Sequence, residues 1–307
     1  MAITAAMVKE LRELTGAGMM DCKKALGETD GNMDEAVEYL RKNGQAKAEK
    51  KASRIAAEGL CTVVVKDDKT AAVVEVNSET DFVAKNDEFQ GFVEAVVNQV
   101  VDSDAADMDA FMAEAWEADT TKTVKDALVE KIAVIGDNLK IRRFEKVVAT
   151  NGCVVSYVHG GGRIGVIVEA ETAVVNDAVK EMGKNIAMQI AAMNPIAIDE
   201  AGVPESVKEI LLAQIMNDPK ESQKPEKVIN GMIEGRVSKE LKEICLVDQV
   251  YVKAEDGKQT VAKYLEEVSK AVGTPVSVKR FVRFETGEGL EKKNEDFAAE
   301  VAAQMGK

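Results

Sequence analysis

One histidine, one tryptophan and five prolines in 307 residues narrow the chemistry before any motif is read. With His159 as the sole imidazole, a multi-histidine metal cage and a hydrolytic triad with a partner histidine are both disfavoured. The four cysteines, Cys22, Cys61, Cys153 and Cys245, are scattered and form no C-x-x-C. This argues against a zinc site and a disulfide framework, and for a reduced, cytoplasmic setting. No run reaches 18 consecutive apolar residues, and the N-terminus leads straight into an amphipathic pattern. The expectation is a soluble, unexported protein with no membrane partner. No G-x-x-x-x-G-K-[ST] is present, so the chain has no phosphate-binding loop of its own. Basic residues are outnumbered, 40 Lys+Arg against 54 Asp+Glu, and the net charge of −14 repels phosphate backbones. Direct nucleic-acid binding is therefore not expected. Aromatics make up 4% against 46% hydrophobic residues, so the core must be aliphatic and an exposed ring becomes noticeable.

What is present divides into units, and the length suits two or three domains at roughly 100–200 residues each. From Thr4, a candidate N-cap, Met7, Val8, Leu11 and Leu14 recur at helical spacing and stop at Gly16-Ala17-Gly18. Met19, Met20, Cys22, Ala25 and Leu26 predict a second helix closed by Thr29-Asp30-Gly31. Met33, Ala36, Val37 and Leu40 predict a third, ending at Asn43-Gly44. Residues 1–45 thus form a three-helix module, small enough that Met19 and Met20 are either gap fillers or adaptable contact residues. Residues 46–57 carry Lys47, Lys50, Lys51 and Arg54 among alanines and read as a basic connector.

The period then changes to that of strands. Leu60–Val65 and Ala71–Val76 flank the turn Lys66-Asp67-Asp68-Lys69, a β-hairpin. Helical spacing returns at Phe89, Phe92, Val93, Val96, Val97 and Val100, then around 107–118 and 123–135 before a stop at Gly136 and a strand to Val148. The chain next repeats itself. Gly152–Val158 and Arg163–Ala170 form a second hairpin pattern, and Glu169 aligns with Glu75 at an offset of 94. Val278-Lys279-Arg280-Phe281 echoes Ile141-Arg142-Arg143-Phe144 at 137, so the second unit holds about 43 extra residues. That insertion, about 200–243, shows two apolar stripes, Val207 to Ile215 and Val228 to Leu241, around a polar break. An antiparallel pair of helices should zip along them, either as a projecting arm or as a packed helical hairpin. The fold class is α+β: core units over 58–149 and 150–290, then a C-terminal amphipathic helix over 291–307.

Little of this carries catalytic chemistry. Gly160-Gly161-Gly162-Arg163-Ile164-Gly165 is formally G-x-G-x-x-G, but it joins two strand patterns, whereas a dinucleotide site needs a strand followed by a helix. It reads as a hairpin loop. No carboxylate pair has acid–base or metal spacing, so no cofactor and no metal are expected. In Asn77–Asn86 a strand runs into Thr80-Asp81-Phe82. Thr80 or Asp81 can cap a helical turn, with Phe82 either tucked into the core or set at a surface corner. His159 is either a plain surface residue or a loop-tip contact.

Three segments together resemble the elongation factor Ts family: Leu14-Thr15-Gly16-Ala17-Gly18-Met19-Met20-Asp21-Cys22-Lys23-Lys24-Ala25-Leu26, then Thr80-Asp81-Phe82-Val83-Ala84-Lys85-Asn86, then His159-Gly160 with Arg163-Ile164-Gly165-Val166. The resemblance spans essentially the whole chain. It implies a guanine-nucleotide exchange factor for elongation factor Tu, GDP-bound and nucleotide-free, with no catalytic chemistry of its own. It also implies a ubiquitin-associated-like module, two related α+β subdomains, a coiled-coil arm and a C-terminal helix that docks on the partner. Asp81 and Phe82, flanked by Thr80 and Val83, match residues that insert near the partner's Mg²⁺ site. His159 and Ile135-Gly136 match contacts to a neighbouring helix, and Arg12, Met19 and Met20 match N-terminal contacts. The three glycines after His159 depart from the family's pattern. The competing readings are a non-exchange interaction scaffold and an enzyme with an unrecognised site.

Overall fold

A computed structural model describes residues 3–216, 235 and 237–291. Three helices open the chain: α1 (Ala5–Thr15), α2 (Met19–Glu28) and α3 (Met33–Lys51). The Thr4 side chain accepts from the Met7 N–H, and Gly16 ends α1 at φ 66°, a left-handed conformation that costs glycine least. Val8, Leu11, Cys22, Ala25, Leu26 and Ala36 form a core shared by the three. Helix α3 corrects the expected stop at Asn43-Gly44, since it continues for two further turns to Lys51. The continuation has a surface to bury against. A Cβ at Gly44 would stand 3.4 Å from Ala133 of a later helix, α7 (Val124–Ile135), and Ala48 is buried in the first large core. The basic stretch expected as a connector is therefore helical over its first half.

Two three-stranded antiparallel sheets make up the body. The first joins β1 (Glu58–Lys66), β2 (Thr70–Ser78) and β5 (Lys140–Val148), with β2 in the middle. The second joins β6 (Cys153–His159), β7 (Ile164–Thr172) and β8 (Val276–Glu285), with β7 in the middle. The repeat read from the sequence extends to the register. β2 slips between Glu75 and Val76, and β7 slips between Glu169 and Ala170. Each bulge presses on a glycine in the left-handed half of φ space, Gly59 at 126° and Gly152 at 103°. A Cβ at either would overlap the carbonyl oxygen of Val76 or Ala170.

Helices cover the outer faces. α5 (Asp87–Asp102) and α7 bury Phe89, Phe92, Val96, Val100, Leu128 and Ile132 against the first sheet. α8 (Asp177–Met193) and α11 (Val261–Val272) do the same for the second through Met182, Ile186, Ile190, Val261 and Leu265. The inner faces meet each other through Cys61, Val73, Val147, Val154, Ile167, Val282 and Phe284. Both faces of the central strands are thus covered, which is why β2 and β7 read as nearly unbroken apolar runs. Two backbone bonds stitch the sheets, Cys61 N–H to the Gly162 carbonyl at 2.7 Å and Val154 N–H to the Asp68 carbonyl at 2.8 Å.

Two local differences have identifiable causes. The helix expected over 107–118 stops early as α6 (Met108–Ala113), followed by the small hairpin of β3 (Ala115–Trp116) and β4 (Asp119–Thr123). The Gln99 amide on α5 donates to the Ala115 carbonyl and accepts from the Glu117 N–H, which takes these groups out of helical pairing. Trp116 then rests against Phe92, ring centroids 5.8 Å apart. In the insertion, α9 (Glu205–Met216) and a returning helix α10 (237–244) are joined at their roots by Val203, Val207, Val237, Leu241 and Cys245. Residues 217–234, where the rest of the expected arm falls, and the expected C-terminal helix at 292–307 lie outside the described residues. Among the described residues no helix is long and apolar enough to cross a membrane.

Candidate functional site

β2 runs directly into a single helical turn, α4 (Asp81–Ala84). Val83 and Ala84 pack inward on the first core, so in so short a helix Phe82 is left on the outer side, 80% exposed. A phenylalanine held there leaves roughly 1.5–3 kcal/mol of burial unrealised. Asp81 is exposed beside it. The Lys85 ammonium lies 2.8 Å from its Oδ2 and holds the carboxyl below its usual range, while sitting 5.8 Å from the Phe82 ring centroid. Thr80 stands at the N-cap position of this turn but its side chain accepts no amide there, while the Asp81 and Phe82 amides add to the lowering of the Asp81 carboxyl. The Thr80 hydroxyl instead donates to Asp137 Oδ2 at 3.4 Å, and Asn86 caps the next helix by accepting from the Glu88 and Phe89 amides.

The base of this turn is tied to the end of α7. Thr123 and Asp126 close a reciprocal capping box at the start of α7, and Gly136 ends it at φ 91°. The Glu79 carboxylate accepts from the Asn138 N–H at 2.7 Å and from Arg54 at 3.3 Å. Lys51, at the end of α3, donates to the Gly136 carbonyl, and burial, with Arg54 nearby, pushes its ammonium down. Burial and the adjacent Glu79 push the Asp137 carboxyl up. Ile135 is half-buried on the first core and Gly136 is exposed.

The N-terminal module stands beside the same helix. A Cβ at Gly16 would be 3.8 Å from Val134, and a cleft of about 440 Å³ opens between module and α7, lined by Ala17, Val37, Leu40, Gly44, Val129 and Val134. Met19 and Met20 begin α2 and are 60% and 75% exposed. They do not fill the module's core. Arg12 is exposed on α1.

His159 closes β6 in the open, its Nδ1 2.9 Å from the Tyr157 hydroxyl, a contact that orients the ring. The glycines after it take φ of 60°, 65° and 100°, and the formal G-x-G-x-x-G joins β6 to β7, as its hairpin reading requires. The Gly162 carbonyl accepts from Cys61 near the start of β1, and Ser78 pairs with Glu58 on that same strand. The Phe82 turn and the His159 loop therefore occupy one end of the double sheet, with Thr80 and Ile135-Gly136 between the Phe82 turn and the module.

One cluster escaped the sequence reading. Glu75 is completely buried and takes bonds from Arg142, Arg143, Asn77 and the Gly287 N–H. Burial raises its pKa, but the Gly287 amide, Asn77 and the two guanidiniums outweigh this and hold the carboxyl below the glutamate range. The signal was available in a carboxylate set inside an apolar strand and repeated at Glu169. What the surface offers is an apolar ring, an ionised carboxylate and two methionines on anchored backbone, a set suited to contact with another protein. All four cysteines are buried with their thiols pushed up by burial, Cys61 to about 12, which removes thiolate nucleophiles.

Residues 79–288 match the family described as Elongation factor TS, a span that begins just before the Phe82 turn and ends at the turn holding Gly287. The chain is 53% identical to Elongation factor Ts of Clostridium novyi (strain NT) over 308 residues, covering 99% of each. It is 50% identical to that of Clostridium perfringens (strain 13 / Type A) over 310 residues, covering 99% of this chain and 100% of the other. Against Clostridium tetani (strain Massachusetts / E88) the identity is 49%, again with 99% of each covered. With a family match over two thirds of its length and relatives at half identity end to end, the chain belongs to the elongation factor Ts family.

Proposed function

We propose that this chain is a cytoplasmic guanine-nucleotide exchange factor that binds elongation factor Tu and promotes GDP release without bond chemistry of its own. The observation that carries the reading is Phe82, 80% exposed on a one-turn helix whose base is fixed by Glu79 and Thr80. An aromatic ring held outward on anchored backbone is the kind of anchor that a protein interface buries.

The mechanism is linkage. A factor that binds the nucleotide-free partner more tightly than the GDP-bound one must weaken GDP binding by the same factor. Each decade needs about 1.4 kcal/mol of differential binding, whereas burying one phenylalanine yields roughly 1.5–3 kcal/mol. Phe82 alone cannot supply several decades. In this reading Arg12, Met19, Met20, Ile135, Gly136 and His159 hold the partner while Asp81 and Phe82, supported by Thr80 and Val83, enter beside its Mg²⁺ site. Asp81, kept ionised by Lys85, disturbs the electrostatics of the cation and phosphates there. Residues 1–45 act as a ubiquitin-associated-like module, 200–243 as a coiled-coil arm, and 291–307 as a further docking helix.

Stopped-flow release of a fluorescent GDP from elongation factor Tu tests the assignment. Phe82→Ala and His159→Ala should each slow release by at least tenfold, the scale of one lost buried contact. Wild-type rates with both substitutions would overturn these roles, and failure of the chain to prefer nucleotide-free over GDP-bound partner in a pull-down would favour a scaffold.

A further inference from the structure

The two copies of the repeat treat the same buried carboxylate differently. Glu169 stands at the Glu75 position of the second copy, beside the same bulge, and is also buried. Its Oε1 is approached by the Lys279 ammonium at 3.2 Å but has no partner in hydrogen-bond geometry. Glu75 has both oxygens filled: Arg142 Nη1 at 3.0 and 3.1 Å, Arg143 Nε at 2.5 Å, Asn77 Nδ2 at 3.0 Å and the Gly287 N–H at 2.8 Å.

The cluster also reaches further. Arg142 donates to the Glu288 carbonyl and Arg143 to the Glu285 carbonyl at 3.1 Å, with the Arg143 guanidinium 4.2 Å from the Phe284 ring centroid. Thr286, between them, donates its N–H to the Arg163 carbonyl at 2.9 Å and its hydroxyl to the Gly162 carbonyl at 3.2 Å. An unbroken path therefore runs from β2, three residues before its end, through the 285–289 turn to the loop that carries His159.

Stability is a poor account of this elaboration. Burying a carboxylate and partly burying two guanidiniums costs hydration and at best breaks even against apolar packing of the same volume. The second copy closes the same bulge around a sparsely met glutamate. What distinguishes the first copy is that its strand ends in the wedge.

We propose that Glu75 is a positioning residue: it locks the wedge-bearing strand to the 285–289 turn, and through Thr286 to the His159 loop, so that Phe82 and His159 meet a partner as one rigid pair. The proposal rests on the exchange reading for its functional consequence, and its structural half is measurable on the free chain.

Hydrogen exchange of the free protein decides the coupling. Glu75→Gln, nearly isosteric and uncharged, should speed exchange at least about fivefold in both 79–86 and 159–163, while Glu169→Gln leaves both segments unchanged. Unchanged protection in either segment with Glu75→Gln overturns the proposal, whatever happens to GDP release. In the release assay, Glu75→Gln should lower the rate at saturating factor roughly tenfold with half-saturation moved less than twofold, as when an interaction specific to the activated state is lost. The same substitution should add no further loss in a Phe82→Ala, His159→Ala background. An equal further loss there would mark a general structural defect and overturn positioning. Wild-type release by Phe82→Ala and His159→Ala, with the hydrogen-exchange coupling intact, would remove the exchange reading and leave the lock in place. If Glu75→Gln does not fold, Arg142→Met cuts the same path from its half-exposed side and carries the same expectations.

Discussion

Phe82 faces water because its neighbours do not: with Val83 and Ala84 turned to the core, one helical turn has no other place for the ring. The residues that fix the turn are less visible in the sequence, since Glu79 and Thr80 find their partners almost sixty positions away at Asn138 and Asp137. This is the physical limit on reading such a site from the chain. Apolar spacing reports which side chains are buried, while a carboxylate does not announce its distant donors. From residues alone Phe82 remained open between core and corner, and family resemblance was needed to choose. Asp137 carries a test at this scale. Its pKa is raised by burial and by Glu79, so its protonated form favours the fold at low pH and that contribution is lost as pH rises through the folded value. Asp137→Asn keeps an acceptor for Thr80 and removes the like charge. The melting temperature should rise at neutral pH, and the gain should shrink toward zero in melts taken below the ordinary aspartate pKa of about 3.9.

Helix α3 shows where element boundaries are set by packing rather than by local preference. Asn43-Gly44 reads as a terminator because asparagine and glycine both weaken helices. In the fold, α3 lies against α7 at Gly44, where a single methyl would just meet Ala133 and anything longer would not fit, and the helix continues because Ala48 gains a buried place. The helix expected over 107–118 failed for the opposite reason, since Gln99 supplied its backbone with better partners than a further turn would. Gly44→Leu should therefore wedge the two helices apart against Ala133 and Val129. Overpacking of this kind costs about 1–3 kcal/mol. Limited proteolysis should then release the first 45 residues early while the double sheet stays resistant, and simultaneous digestion of both would show that the seam does not hold the module.

Across the whole molecule, the repeat was the most legible feature, because the strand period returns after Gly152, the paired glutamates stand 94 apart and the last-strand motif recurs at 137. Its three-dimensional outcome was not legible. Nothing in the periodicity tells whether two such units stand apart or share a face, and here Cys61, Val73, Ile167 and Phe284 make a common interior. The rest of the arm and the C-terminal helix, read with equal ease from apolar stripes, fall at 217–234 and 292–307, outside the described residues.

The single indole lends this architecture a built-in reporter. Trp116 is buried against Phe92 in the first half, and the second half has no tryptophan. Its emission therefore follows one half alone, whereas far-ultraviolet dichroism averages over both. If the shared interior binds the halves into a single cooperative transition, the two melting curves superimpose. A fluorescence transition that leaves a later dichroic step behind would mean that the first copy can come undone while its twin stays folded.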